Sequence, residues 1–178
     1  MARSIALLRA VNVGGRKLPM ADLRALCGGL GWKDVETYIQ SGNVVFSASG
    51  SPAALEARLE QAIKERFGLD VPVVVRTAAQ WAACVKANPF PDAGRDSPNR
   101  LQMLVSKQPP KADASARLIE RADAGEEVKA AGGVLWLHYP EGIARSKLTP
   151  SLIDKACGSP STSRNWRTVL KLKEMVEA

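Results

Sequence analysis

A chain of 178 residues is long enough for one large domain or two small ones, and with 46% of its residues apolar it can bury a core. Twenty-five basic against 18 acidic side chains leave a formal charge of +7, which disfavours basic partners and favours anionic ones. No run of about 18 uncharged apolar residues occurs, and the apolar opening Ile5 to Leu8 stops at Arg9, so neither a membrane span nor a signal peptide is expected and the reading is a soluble, cytoplasmic protein.

Cys27, Cys84 and Cys157 form no Cys-x-x-Cys pair, and their odd number argues against a disulfide framework; they are expected as small buried apolar residues. The basic excess sits at the ends. Residues 1–50 carry six basic and three acidic groups and residues 142–178 seven and three, whereas residues 51–100 carry seven and six. This points to a phosphate-bearing or otherwise anionic partner, set against the alternative of ordinary solvated surface.

In chain order, Arg3 to Val11 is rich in Ile, Leu and Val without strict alternation, as in a strand buried on both faces. Asn12-Val13-Gly14-Gly15-Arg16-Lys17 interrupts it. Pro19 then suits the first turn of a helix, with Met20, Leu23, Leu26 and Leu30 at helical spacing and Gly31 beyond its end. Val35 to Ile39 and Val44 to Phe46 are strands joined by a turn at Gln40-Ser41-Gly42-Asn43. A second helix is expected from Pro52 to Phe67 on the stripe Leu55, Leu59, Ile63 and Phe67, ended by Gly68, and Val71 to Arg76 is a last strand. The order β-α-β-β-α-β is that of a ferredoxin-like unit over residues 1–77.

Residues 78–100 are read as a helix, Thr77 to Lys86, and a mobile Pro-rich connection. Residues 101–178 repeat the order loosely: a strand at Leu101 to Val105, a helix at Ala112 to Ala122, a hairpin closed by Gly132-Gly133, and a short helix opened by Thr149-Pro150 and closed by Gly158. No fourth strand is expected. Ser161-Thr162-Ser163 instead offers caps for a final helix, Arg164 to Val176. The fold class is thus α+β, two ferredoxin-like (α/β plait) subdomains, the second incomplete and extended by a C-terminal helix.

In a β-α-β-β unit the first two strands run parallel with the third between them, so the loop after the first and the turn after the second leave the same end of the sheet. That juxtaposes Asn12, Gly14, Gly15, Arg16 and Lys17 with Gln40, Ser41 and Asn43 just ahead of a helix N-terminus, where backbone donors favour an anion. The glycine pair matches neither the dinucleotide nor the phosphate-loop fingerprint, and turn chemistry is its simpler explanation. A second cluster comprises Lys147 in Ser146-Lys147-Leu148-Thr149 and Arg164 and Asn165 at the start of the last helix. A cation in a first helical turn opposes the macrodipole, which hints at an anion beside Arg164. His138, the single histidine, is expected to be structural or solvent-facing rather than a general base. No paired carboxylates, nucleophile elbow or metal-ligand spacing is found, so catalytic residues are unassigned and no metal or cofactor is expected.

The run ALLRAVNVGGRKLPMADLRALCGGLGWKDVETYIQSGNVVFS, with GIARSKLTPSLIDKACGSPSTSRNWRTVLKL near the other end, resembles a bacterial family known as domain of unknown function 1697. The resemblance implies two α/β-plait subdomains and no established activity. It makes Asn12, Lys17, Gln40, Ser41, Asn43, Lys147, Arg164 and Asn165 motif positions; Ser163 replaces the second threonine of the family's Thr-Thr-Arg-Asn-Trp and keeps the hydroxyl. Three functions stay open: a binding protein for a phosphate-bearing ligand, nucleotide or nucleic acid; an enzyme on a small phosphorylated or acidic metabolite; and an interaction module whose motifs hold the fold together. The sequence lacks the exposed aromatic pair that stacks bases on RNA-recognition sheets, Tyr38 and Phe46 being the available rings.

Overall fold

The apolar stretches form eight strands in two four-stranded antiparallel sheets, seen in a computed structural model that describes residues 1–178. The chain divides into two compact units, Met1–Trp81 with Leu172–Ala178, and Ala82–Lys171. The elements of the first are β1 (Ala2–Leu8), α1 (Met20–Gly29), β2 (Lys33–Thr37), β3 (Asn43–Ala48), α2 (Pro52–Phe67) and β4 (Val73–Thr77). Then come α3 (Ala78–Lys86), α4 (Pro91–Asp96), β5 (Leu101–Ser106), α5 (Ala114–Arg121), β6 (Glu127–Ala131), β7 (Val134–His138), α6 (Pro150–Cys157), β8 (Ser161–Asn165) and α7 (Trp166–Glu177).

The first sheet has the order β2-β3-β1-β4. β3 is antiparallel to both β1 and β2, so β1 and β2 are parallel as expected. α1 and α2 bury Leu23, Cys27, Leu55, Leu59 and Ile63 against Leu8, Val44, Phe46, Val73 and Val75, and Trp32 stacks on Phe46 with ring centroids 4.0 Å apart. Each of the larger aliphatic side chains so buried contributes about 1.5–3 kcal/mol. α2 forms where its ends are satisfied locally: Ser51 Oγ accepts the Ala54 N–H, Pro52 fills the first turn, and Gly68 takes the left-handed conformation (φ +69°).

The second sheet has the corresponding order β6-β7-β5-β8, with α5 and α6 burying Leu118, Ile153 and Cys157 against Leu104, Leu135 and Leu137. Thr149 caps α6 and Gly158 (φ +89°) ends it, as the sequence indicates.

The second unit is complete rather than truncated. Ser161–Asn165, where the sequence suggests a cap at Ser161 to Ser163 and a helix from Arg164, is β8, paired antiparallel to β5 from Ser161↔Ser106 to Asn165↔Gln102. It was hidden because its polar residues lack an apolar run, whereas β8 draws its order from β5. The Pro-rich stretch likewise holds a helix, α4, with Pro91 in its first turn, because proline there supplies a helical φ and forfeits no hydrogen bond. No helix is long and apolar enough to cross a membrane.

Candidate functional site

β1 ends three residues sooner than its apolar run, at Leu8, and the reason is conformational: Ala10 (φ +54°) and Asn12 (φ +57°) are left-handed, a region that extended pairing excludes. Gly14 (φ +57°) and Gly15 (φ +81°) follow in a tight reversal in which the Arg16 N–H donates to Val13 O at 3.1 Å and the Asn12 N–H to Arg16 O at 2.6 Å.

Opposite lies the β2–β3 turn, with Ile39 (φ +52°) and Gly42 (φ +84°) also left-handed. A β-branched residue there is a genuine outlier. Gly42 is required by packing as well: a Cβ on it would sit 2.7 Å from Val11 Cγ2 and 2.8 Å from Leu8 Cβ. Through Gly42 O, which accepts the Leu8 N–H at 2.8 Å, the turn is fastened to the end of β1.

Two asparagine amides hold these loops. Asn12 Nδ2 donates to Leu18 O (3.0 Å) and across the gap to Gln40 O (2.7 Å), while its Oδ1 accepts the Leu18 N–H (2.9 Å). Asn43, fully buried, donates through Nδ2 to Tyr38 O (2.8 Å) and to Ser41 Oγ (3.0 Å). The two polar clusters therefore meet, as the strand order requires, and their asparagines do structural work in bringing them together.

Between the loops is an open cavity of about 460 Å³ lined by Asn12, Gly15, Arg16, Lys17, Pro19 and Gln40. The Arg16 guanidinium is tied to the Asp70 carbonyl. Lys17 is exposed and has no ion-pair partner. Pro19, at the mouth of α1, supplies no side-chain cap, so the first amides of that helix carry their partial positive charge uncapped by a side chain. Val13 (57% exposed) and Ile39 (50%) are large apolar side chains on the two loops. Neither residue carries a sequence signal beyond being apolar inside a polar loop, and Arg16 is legible in the sequence as charge only.

The C-terminal candidates lie in the other unit. Lys147 is exposed and pairs with Asp123, whose hydrogen bond and negative charge raise the pKa of its ammonium group. Arg164 is not in a first helical turn but in β8, so the macrodipole mismatch does not arise. It is buried, burial pushes its pKa down to about 10, and its Nη1 donates to Thr162 Oγ1 (2.7 Å) and Ser163 O (2.8 Å). Asn165 caps α7, its Oδ1 accepting the Thr168 N–H at 3.0 Å.

Arg164 and Asn165 have counterparts in unit 1. Arg76 and Thr77 occupy the same places in β4, Arg76 Nη1 donating to the preceding carbonyl, Val75 O (2.9 Å), and Thr77 Oγ1 accepting the Gln80 N–H three residues on (3.1 Å). An arrangement present twice is a feature of the strand-to-helix junction.

His138 is partly buried, with Nδ1 3.0 Å from Glu127 Oε1 and its ring tilted against Phe90. No group of three or more His, Cys, Asp or Glu side chains is placed to hold a metal ion. The three cysteines are buried and form no disulfide.

Two βαββαβ units, one bearing a pinned double-loop cavity, define the class: an α+β protein of two ferredoxin-like subdomains. The chain belongs to DUF1697, a protein family of unknown function, whose model matches residues 1–136. That match includes both loops of the cavity and stops before the segment with Lys147, Arg164 and Asn165. Among solved structures it is similar to the conserved bacterial protein SP0830 from Streptococcus pneumoniae, at 24% identity over 98% of each chain and a TM-score of 0.77, a likeness of fold. No curated protein matches it.

Proposed function

We propose that this protein binds a small phosphate-bearing ligand in the cavity between the β1–α1 loop and the β2–β3 turn. The observation that carries the reading is Lys17, an exposed cation without a counter-ion on a cavity wall whose other members include a left-handed glycine, an arginine and the residue that opens α1. Such a setting offers a full charge, accessible backbone and a helix N-terminus to one anion. The strain at Ala10, Asn12 and Ile39 supports it, since left-handed non-glycine residues concentrate at ligand sites. Asn12 and Asn43 hold the walls; Gly14, Gly15, Lys17 and the Gln40 side chain face the ligand in this proposal.

A thermal-shift screen against nucleotides, sugar phosphates, carboxylates and short oligonucleotides tests it. One phosphate-bearing class should stabilise the wild type, and Lys17→Ala should weaken its binding about 10-fold, the worth of one charge-assisted hydrogen bond. Stabilisation that survives Lys17→Ala undiminished refutes the site. A steep fall with ionic strength would identify nucleic acid, a shallow one a nucleotide or sugar phosphate.

A second reading rests on Val13 and Ile39, which give the same loops an apolar rim suited to a protein partner. Val13→Ser with Ile39→Ser should leave phosphate binding within about 2-fold and abolish partner capture under that reading.

A further inference from the structure

The outermost strand of a sheet presents every second N–H and C=O to whatever approaches, which makes it a template for another strand. β4 is such a strand, with β1 as its single neighbour. The Arg9 N–H donates to Pro72 O, and with the register Leu7↔Val74 and Ile5↔Arg76 this turns Pro72, Val74 and Arg76 toward β1 and Val73, Val75 and Thr77 outward.

All three outward N–H groups are taken by side chains. Val73 donates to Glu60 Oε1 (2.8 Å), Val75 to Glu56 Oε1 (2.9 Å) and Thr77 to Gln80 Oε1 (2.9 Å). The outward carbonyl of Val75 accepts Arg76 Nη1 at 2.9 Å, and the same nitrogen lies 3.9 Å from Glu56 Oε1. Glu56 and Glu60 can serve alternate residues of β4 because one helical turn, about 5.4 Å, nearly matches the two-residue repeat of a strand, about 6.6 Å. Glu56 is 7% exposed, and burying a carboxylate is costly unless its hydrogen bonds are made.

The other unit repeats the device at the corresponding place. β8 is outermost in its sheet, Lys107 N–H donates to Pro160 O, and the outward N–H of Ser161 donates to Asp154 Oδ1 on α6 at 3.0 Å. In both units the second helix lends an acid to the free edge of the fourth strand.

We propose that Glu56, Glu60 and Gln80 close the β4 edge against strand addition, and that the partner they exclude is a second copy of this chain. A two-fold antiparallel β4–β4 pairing would join two four-stranded sheets into one of eight. β4, Val73–Thr77, opens on three consecutive valines, the composition that pairs and aggregates when its edge is bare. Carboxylates are apt blockers, since a second copy would bring its own Glu56 and Glu60 against these and like charges would oppose the approach.

Glu56→Ala/Glu60→Ala and Glu56→Gln/Glu60→Gln are compared with wild type by sedimentation over a wide concentration range and by amide hydrogen exchange. The glutamines keep an acceptor at each N–H and should preserve the wild-type association state. The alanine variant should exchange Val73 and Val75 amides at least about 10-fold faster when dilute, and shift with concentration to a state of twice the wild-type mass. A folded alanine variant with wild-type association and wild-type exchange overturns the proposal. Should the double variant fail to fold, Glu60→Ala alone reads the Val73 amide, and unchanged exchange there overturns it equally.

Discussion

Asn12→Ala removes the side chain that clasps the two loops, and its cost can be worked from the geometry. Three hydrogen bonds are lost, at 2.7, 2.9 and 3.0 Å, two to Leu18 and one to Gln40. At about 1 kcal/mol each, with water replacing part of the exposed bond to Gln40, they account for about 2 kcal/mol. Alanine must also hold φ at +57°, a conformation that costs it more than it costs asparagine, for about 1 kcal/mol more. The total of about 3 kcal/mol corresponds to a fall of about 6–12 °C in Tm for a chain of this size. Asn12→Gly loses the same bonds without the backbone penalty and should melt about 2–4 °C above the alanine variant. Both are read from thermal unfolding followed by circular dichroism. An alanine variant melting within about 2 °C of wild type would refute the clasp, and a glycine variant no better than alanine would refute the backbone share.

Gly42→Ala and Gly15→Ala separate packing from conformation. The first meets Val11 and Leu8 below 3.0 Å and should cost upwards of about 3 kcal/mol, whereas the second meets nothing within 4 Å and should cost about 1 kcal/mol for its positive φ alone; equal urea midpoints for the two would contradict this. Burial pushes the Cys27 thiol from 9.0 up to about 12. The folded chain holds that proton longer than the unfolded one, so the stability it confers is complete below pH 9 and is lost as pH climbs from 9 to 12, by about 1.4 kcal/mol at pH 10. Cys27→Ala should flatten this alkaline slope by that amount even though it lowers stability overall, and parallel slopes for variant and wild type in urea titrations at pH 8 and 10 would dispose of the attribution.

Helices with local signals were legible: Ser51, Pro52 and Gly68 mark α2, and Thr149, Pro150 and Gly158 mark α6, each residue acting through bonds made within a turn of itself. The meeting of the two loops was legible too, because it follows from strand order rather than from side-chain detail. β8 was not, since nothing in Ser-Thr-Ser-Arg-Asn announces a strand until β5 is beside it. Missing β8 misplaced Arg164, whose apparent conflict with a helix dipole was an artefact of putting it in the helix. The acids that close β4 and β8 were invisible for a related reason. Glu56 and Glu60 read as ordinary helix-surface charges, and their partners are backbone groups of a strand further along the chain.

Because one frame occurs twice in this chain, each unit serves as a control for the other. The arginine that donates to the preceding carbonyl, the cap that accepts the N–H three residues on and the acid on the outer strand appear in both, and belong to the frame. The β1–α1 loop and the β2–β3 turn do not recur. Where unit 1 joins β2 to β3 through Ile39 and Gly42, unit 2 joins β6 to β7 through Gly132 and Gly133 alone, and all four left-handed non-glycine residues, Ala10, Asn12, Asp34 and Ile39, lie in unit 1. Each costs on the order of 1 kcal/mol or more, least for the asparagine. Unit 2 reaches the same topology without that cost, so folding does not demand it. Three of the four, Ala10, Asn12 and Ile39, lie in the two loops beside the cavity that carries the unpaired Lys17, and strain that the fold can do without is what the ligand site proposed there would retain.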